Sequence, residues 1–237
     1  MKTNQKHSFY KEYPKTCAPD DFWGQVKRTI NGKPLAQEQI DMITQAIESG
    51  LNLQKSDVLL DLCCGNGALT RLLENACRNI VGVDFSEYLV QIAEKNFANE
   101  KQKYLLADVV EFCQNPTDAT EYTKVLCYGS FAYLTTEQAR TTLLGINQNL
   151  LNVNQIFIGN CPDKDLAEDF YKDELVSKDL LNDYDSAIGI WRSKAEFERL
   201  ADDTGWDISF RKMPEQYIPS YYRYDVQLFR KDHHVIR

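Results

Sequence analysis

VLLDLCCGNG, residues 58–67, is an apolar run that ends in an acid, two adjacent cysteines and a pair of glycines. A short aliphatic run bounded by glycine reads as a buried strand. A parallel strand that ends in a glycine turn and feeds a helix sets its loop at the carboxyl edge of the sheet, where open α/β folds bind ligands. Gly65 and Gly67 lack side chains, so the backbone there can approach a ligand closely. Neighbouring cysteines such as Cys63 and Cys64 do not meet the geometric demands of a disulfide. The chain's seven cysteines show no CxxC pair and no zinc-ligand spacing, so no metal site is expected.

Working outward, the chain alternates apolar runs with segments of helical period, the pattern of a parallel sheet covered by helices. Strands are expected at Val58–Leu62, Ile80–Val83, Tyr104–Ala107, Val125–Tyr128 and Gln155–Gly159. Between them, helices are expected at Ala68–Ala76, Glu87–Phe97, near Val110, and from Thr135 or Thr136 to Leu151. Ser193-Lys194-Ala195-Glu196 is a capping box that opens a further helix ending before Gly205. Asp207–Lys212 and Tyr224–Phe229 alternate as strands with no helix between them, so they can pair antiparallel. Ile40, Ile43, Ile47 and Leu51 recur at helical spacing and predict a helix over 36–51. The 237 residues thus read as a single domain, with 1–54 as an N-terminal helical cover and 161–192, the longest stretch outside the alternation, as a substrate lid.

Two cofactor classes use such a glycine turn. Gly65-Asn66-Gly67-Ala68-Leu69-Thr70 lacks the third glycine of a dinucleotide fingerprint. The strand also ends in Asp61, whose carboxylate repels a pyrophosphate and suits an ammonium group. Asp61-Leu62-Cys63-Cys64-Gly65-Asn66-Gly67 resembles the first motif of class I S-adenosylmethionine-dependent methyltransferases of small-molecule type, with Cys63 standing where the family's first glycine sits. Three further stretches fall in register with that family: Val81–Ser86, Leu106–Val109 and Leu126–Phe131.

The resemblance implies a Rossmann-like α/β fold, a seven-stranded mostly parallel sheet with an antiparallel last strand and helices on both faces. It also implies S-adenosyl-L-methionine as cofactor. Asp61, Cys63, Gly65, Asn66 and Gly67 would surround the amino-acid end, and Asp84 would accept from both ribose hydroxyls with Phe85 lying against adenine. Asp108 would accept from the adenine amino group while the Val109 amide donates to the ring. Cys127, in the stretch at the end of the fourth strand, would border the methionine portion.

The implied reaction moves a methyl group to an O or N atom of a small molecule, such as a sugar or another metabolite. The alternatives are a nicotinamide-dependent oxidoreductase, or a methyltransferase acting on nucleic acid or protein. Tyr128, Tyr133, Tyr222 and Arg223 are expected in the acceptor pocket. Tyr128 and His7 are the candidates for a catalytic group, and Tyr10, Tyr13, Phe22 and Trp23 for aromatic walls.

A formal net charge of −8 lacks the basic face that nucleic-acid binding requires, so no nucleic-acid partner is expected. The fourth-strand stretch also lacks the N/D-P-P-Y pattern of enzymes that methylate base amines. No apolar run approaches the ~18 residues of a membrane span, and the first residues carry no signal-peptide core. The expected setting is therefore the cytoplasm, with no membrane partner.

Overall fold

The computed structural model describes residues 5–172 and 176–231, with residues 5–8 described in backbone only. Seven strands form one sheet: β1 (Val58–Leu62), β2 (Asn79–Asp84), β3 (Gln102–Leu106), β4 (Lys124–Tyr128), β5 (Gln155–Pro162), β6 (Trp206–Arg211) and β7 (Arg223–Arg230). Their order across the sheet is β3-β2-β1-β4-β5-β7-β6. β1 to β5 pair in parallel, and β7 is antiparallel to both β5 and β6. The expected sheet, with its reversed last strand, is the one observed.

The six main helices are α1 (Gln5–Glu12), α2 (Gln37–Leu51), α3 (Glu87–Phe97), α4 (Val109–Gln114), α5 (Thr136–Asn149) and α6 (Lys194–Asp203). Both faces of the sheet are covered, as the period-2 alternation in β1 requires. Val58, Leu60 and Leu62 join the core beneath α4, α5 and α6, where Phe112, Leu143 and Phe197 are buried. Leu59 faces the other way, among Ile40, Ile43, Ile47 and Leu51 of α2. The α2 stripe is thus sheet-covering core. The expected capping box forms at Ser193–Glu196, and a second one, not expected from the sequence, opens α5 at Thr135–Gln138.

After β1 the structure departs from expectation. Instead of a helix over 68–76 there is only a 3-10 turn at Thr70–Leu73. The connection must run back the length of β1 to Arg78, whose amide donates to the Asp57 carbonyl. A 3-10 turn advances ~2.0 Å per residue against 1.5 Å in an α-helix, so it covers that distance with fewer residues. Thr70 is also held at the sheet edge by its bond to Asp61.

The 161–192 segment forms short turns of helix around a satellite core of Ala167, Leu181, Trp191 and Tyr222. It docks on the loop after β4. The Ile190 amide donates to the Ala132 carbonyl, and Arg192 donates to the carbonyls of Phe131 and Leu134. No helix among the described residues is long and apolar enough to cross a membrane.

Gly50 tests how tightly α2 seats on the sheet. A β-carbon there would lie 2.3 Å from the buried Phe157 ring. Exchanging an interior helical glycine for alanine ordinarily gains ~1 kcal/mol, but overpacking a core costs ~1–3 kcal/mol. At so short a distance the clash prevails, and Gly50→Ala is expected to lower stability in urea denaturation by about 1–2 kcal/mol.

Candidate functional site

The β1 turn is built by hydrogen bonds between strand ends. The Gly65 amide donates to Asp84 Oδ2 at 2.9 Å, and the Ser86 amide donates to Oδ1 of the same carboxylate at 2.9 Å. The Thr70 hydroxyl donates to Asp61 Oδ2 at 2.6 Å. Cys63, Gly65 and Gly67 all adopt left-handed backbone, with φ of 59°, 59° and 75°. This conformation explains why glycine suits the first position, and Cys63 occupies it at some steric cost.

Burial raises both acids. The Asp61 carboxyl is pushed up to about 7 by desolvation, against the Thr70 bond and the charge of Arg28, which favour its anion. Asp84 is pushed up to about 6 by desolvation, against the amides of Ser86, Gly65 and Phe85. Two desolvated carboxylates at neighbouring strand ends favour a ligand that brings donors or positive charge.

Around them lies a cavity at the carboxyl edge. Of the residues singled out from sequence, Asp61, Cys63, Gly65, Asn66, Asp84, Phe85, Asp108, Val109, Tyr128 and Tyr133 line it together. Asp108 also caps α4, its Oδ1 accepting from the amides of Val110 and Glu111. The Asn66 amide is committed elsewhere, donating to the Phe22 carbonyl at 2.7 Å and to Gln25 Oε1 at 2.8 Å. Its side chain anchors the N-terminal segment over the turn.

Four residues expected to hold the cofactor or the acceptor are not on this cavity. Gly67 lies against the Tyr104 ring, where a β-carbon would come within 2.8 Å, so its smallness serves packing. Cys127 points into the core, since alternation along β4 gives the cavity Tyr128 instead. Tyr222 packs on Phe170 and Trp191 at ring distances of 4.5 Å and 5.7 Å. Arg223 lies over Tyr222 at 4.7 Å and donates to the Asn160 carbonyl. Nor does any described residue of 161–192 line the cavity. The helix that carries His7 is described, but the His7 side chain lies outside the described residues.

Tyr128 is poorly suited to act as a base. Burial, with the Tyr217 hydroxyl 3.3 Å away, holds its own hydroxyl well above the usual range, so it stays protonated. The residues the sequence did not point to come from the N-terminal strap and the loop after β4. Val26 and Arg28 join Tyr10 and Trp23 on one wall, and Leu134 and, from the first turn of α5, Gln138 join Gly129 and Ser130 of the expected fourth-strand stretch on another. Cys64, expected as a plain core thiol, also reaches the cavity. The strap residues follow no strand or helix period, and the only signal for them was their aromatic and cationic content. Phe22 instead packs on Phe97, and Tyr13 on Phe9.

Residues 59–151 match the family model described as "Methyltransferase domain". An uncharacterized methyltransferase of Schizosaccharomyces pombe is 35% identical over 77 residues, which are 32% of this chain and 28% of that protein. The 23S rRNA (uracil(1939)-C(5))-methyltransferase RlmD of Legionella pneumophila is 28% identical over 64% of this chain and 31% of its own length. The chain thus spans about a third of the length of these curated relatives. The solved magnesium protoporphyrin IX methyltransferase of Synechocystis PCC 6803, with bound SAH, superposes with a TM-score of 0.64 at 15% identity, covering 96% of this chain and 99% of that one.

The raised Asp61 carboxyl fixes a sign for pH dependence. The folded protein holds this proton to about pH 7, whereas the unfolded chain releases it near pH 4. Its contribution to stability is therefore fully present below pH 4 and is lost as pH rises through about 7. Asp61→Asn removes that loss. In urea denaturation of the unliganded protein the variant is expected to gain on wild type between pH 5 and pH 8, and a parallel pair of pH curves would count against a buried, raised Asp61.

Proposed function

Because residues 59–151 form a methyltransferase domain within a Rossmann-like sheet of class I type, we propose that the protein transfers the methyl group of S-adenosylmethionine to an O or N atom of a small molecule. The observation that carries this reading is the convergence of Asp61, Asp84 and Asp108, each at or just beyond the end of a successive strand, on one cavity floored by a glycine turn.

The residues fit the cofactor's chemistry. The Asp84 oxygens accept from backbone amides, Gly65 on Oδ2 and Ser86 on Oδ1, and their remaining lone-pair capacity suits the ribose hydroxyls. Asp61 faces the cavity as an acceptor for the ammonium group. Phe85 offers a ring face to adenine, with Asp108 and the Val109 amide as acceptor and donor beside it. When bound, S-adenosylmethionine supplies a methyl already activated by the sulfonium charge. The protein's part is then to align the acceptor and exclude water.

Tyr10, Trp23, Tyr128 and Tyr133 wall the remaining space, which favours a compact, partly apolar acceptor. The rRNA specificity in the name of one relative is the competing reading. A net charge of −8 argues against an extended phosphate backbone.

Isothermal titration tests the proposal. S-adenosylhomocysteine should bind and NAD should not, and NAD binding without S-adenosylhomocysteine would overturn the reading in favour of an oxidoreductase. Asp84→Asn keeps the side-chain volume and one acceptor oxygen. It is expected to weaken S-adenosylhomocysteine at least tenfold, since hydrogen bonds to a charged group contribute about 1.5–3 kcal/mol each, with the fold retained by circular dichroism.

A further inference from the structure

A second groove lies outside the cavity, at the outer edge of the sheet. It runs between the strap at residues 11–15, the first turn of α3 and the end of β3. β3 is the last strand on that side, so no neighbouring strand covers its end, and Leu106 stays 53% exposed there. The Ala107 amide donates to the Asp84 carbonyl at 3.0 Å and ties this end to that of β2. The strap is pinned as well, since the hydroxyl of buried Ser86 donates to the Tyr10 carbonyl at 3.2 Å.

Two residues belong to both spaces. Phe85 and Asp108 line the cavity on one side and the groove on the other. They are the side chains set against adenine above, Phe85 at its ring face and Asp108 at its amino group. An adenine held between them presents its amino nitrogen at the boundary, with the groove beyond.

The groove is apolar at Phe85, Tyr88 and Leu106, and its charges stand at the rim. Glu12 accepts from Lys15 Nζ at 2.8 Å, and Lys11 Nζ lies 5.7 Å from the centre of the Phe85 ring. With Glu87 on the α3 side the rim carries both signs, so it favours a neutral, apolar group over an ion.

We propose that this groove is a binding compartment for an apolar substituent on the exocyclic amine of adenine, so that the protein takes N6-alkylated adenine nucleosides as well as the unsubstituted one. The inference rests on the methyl-transfer reading, which places adenine, and extends it beyond the cofactor. A single substituent leaves one N–H on the amine, enough to keep the bond to Asp108. A ring laid against Leu106 and Tyr88 then removes apolar surface from water that unsubstituted adenine leaves exposed.

Isothermal titration of wild type, Leu106→Asp and Tyr88→Ser with 5′-methylthioadenosine and its N6-benzyl derivative tests the compartment. Both positions line the groove and not the cavity. Wild type should bind the benzyl derivative at least threefold more tightly than the parent nucleoside. Each variant should bind the parent as wild type does and lose that preference, with its fold checked by circular dichroism. If wild type binds the benzyl derivative no more tightly than the parent, the inference is overturned. A preference kept by either variant that retains its fold overturns it too, because the ring then lies elsewhere. Failure of wild type to bind the parent nucleoside and S-adenosylhomocysteine overturns the methyl-transfer reading and this inference with it, whereas weak binding of the benzyl derivative alone leaves that reading intact.

Discussion

The hydrogen bond from the Gly65 amide to the buried Asp84 carboxylate ties the turn after β1 to the end of β2, and the rest of the site is arranged around that tie. It holds the turn tight, with residues 63, 65 and 67 in left-handed backbone. The same tightness brings the second acid, Asp61, to the cavity wall, where Thr70 holds it. Burying two carboxylates so close together disfavours their charged forms. The compensation comes from backbone amides and a hydroxyl locally, and from the apolar layers on both faces of the sheet globally.

The site is also composite. The floor belongs to the β1 turn and the strand ends, whereas the wall with Tyr10, Trp23, Val26 and Arg28 belongs to a segment far earlier in the chain. Asn66 joins the two. Its buried amide spends both hydrogens on the strap, and its Oδ1 accepts from the Ala68 amide within the turn. Gln39 does similar work farther out, donating to the Gln216 carbonyl and accepting from the Ile218 amide, so that α2 holds the loop between β6 and β7. The loop after β4 is buttressed from behind by Arg192 and Ile190. The 161–192 segment thus acts on the cavity through the loop it supports.

Charge zoning follows from this assembly. The parallel strands deliver acids to one side of the cavity because each strand end contributes its own residue. The only described lining cation arrives with the strap.

The sequence by itself determined the order of strands along the chain, every helix between them except the one expected after β1, and the three acids. These rest on local rules: an aliphatic run bounded by glycine at β1, the capping box at Ser193, and a turn chemistry in which Asp61, Gly65 and Asp84 keep fixed offsets from strand ends. Only the tertiary structure decided the rest. Gly67 turned out to make room for Tyr104, Cys127 faced the core, and Tyr222 and Arg223 packed beside Trp191 and Asn160 rather than on the cavity. Asn66 went to the strap, and Arg28 entered the site. Each of these outcomes depends on which distant segment arrives next to the residue, and no spacing along the chain encodes that meeting.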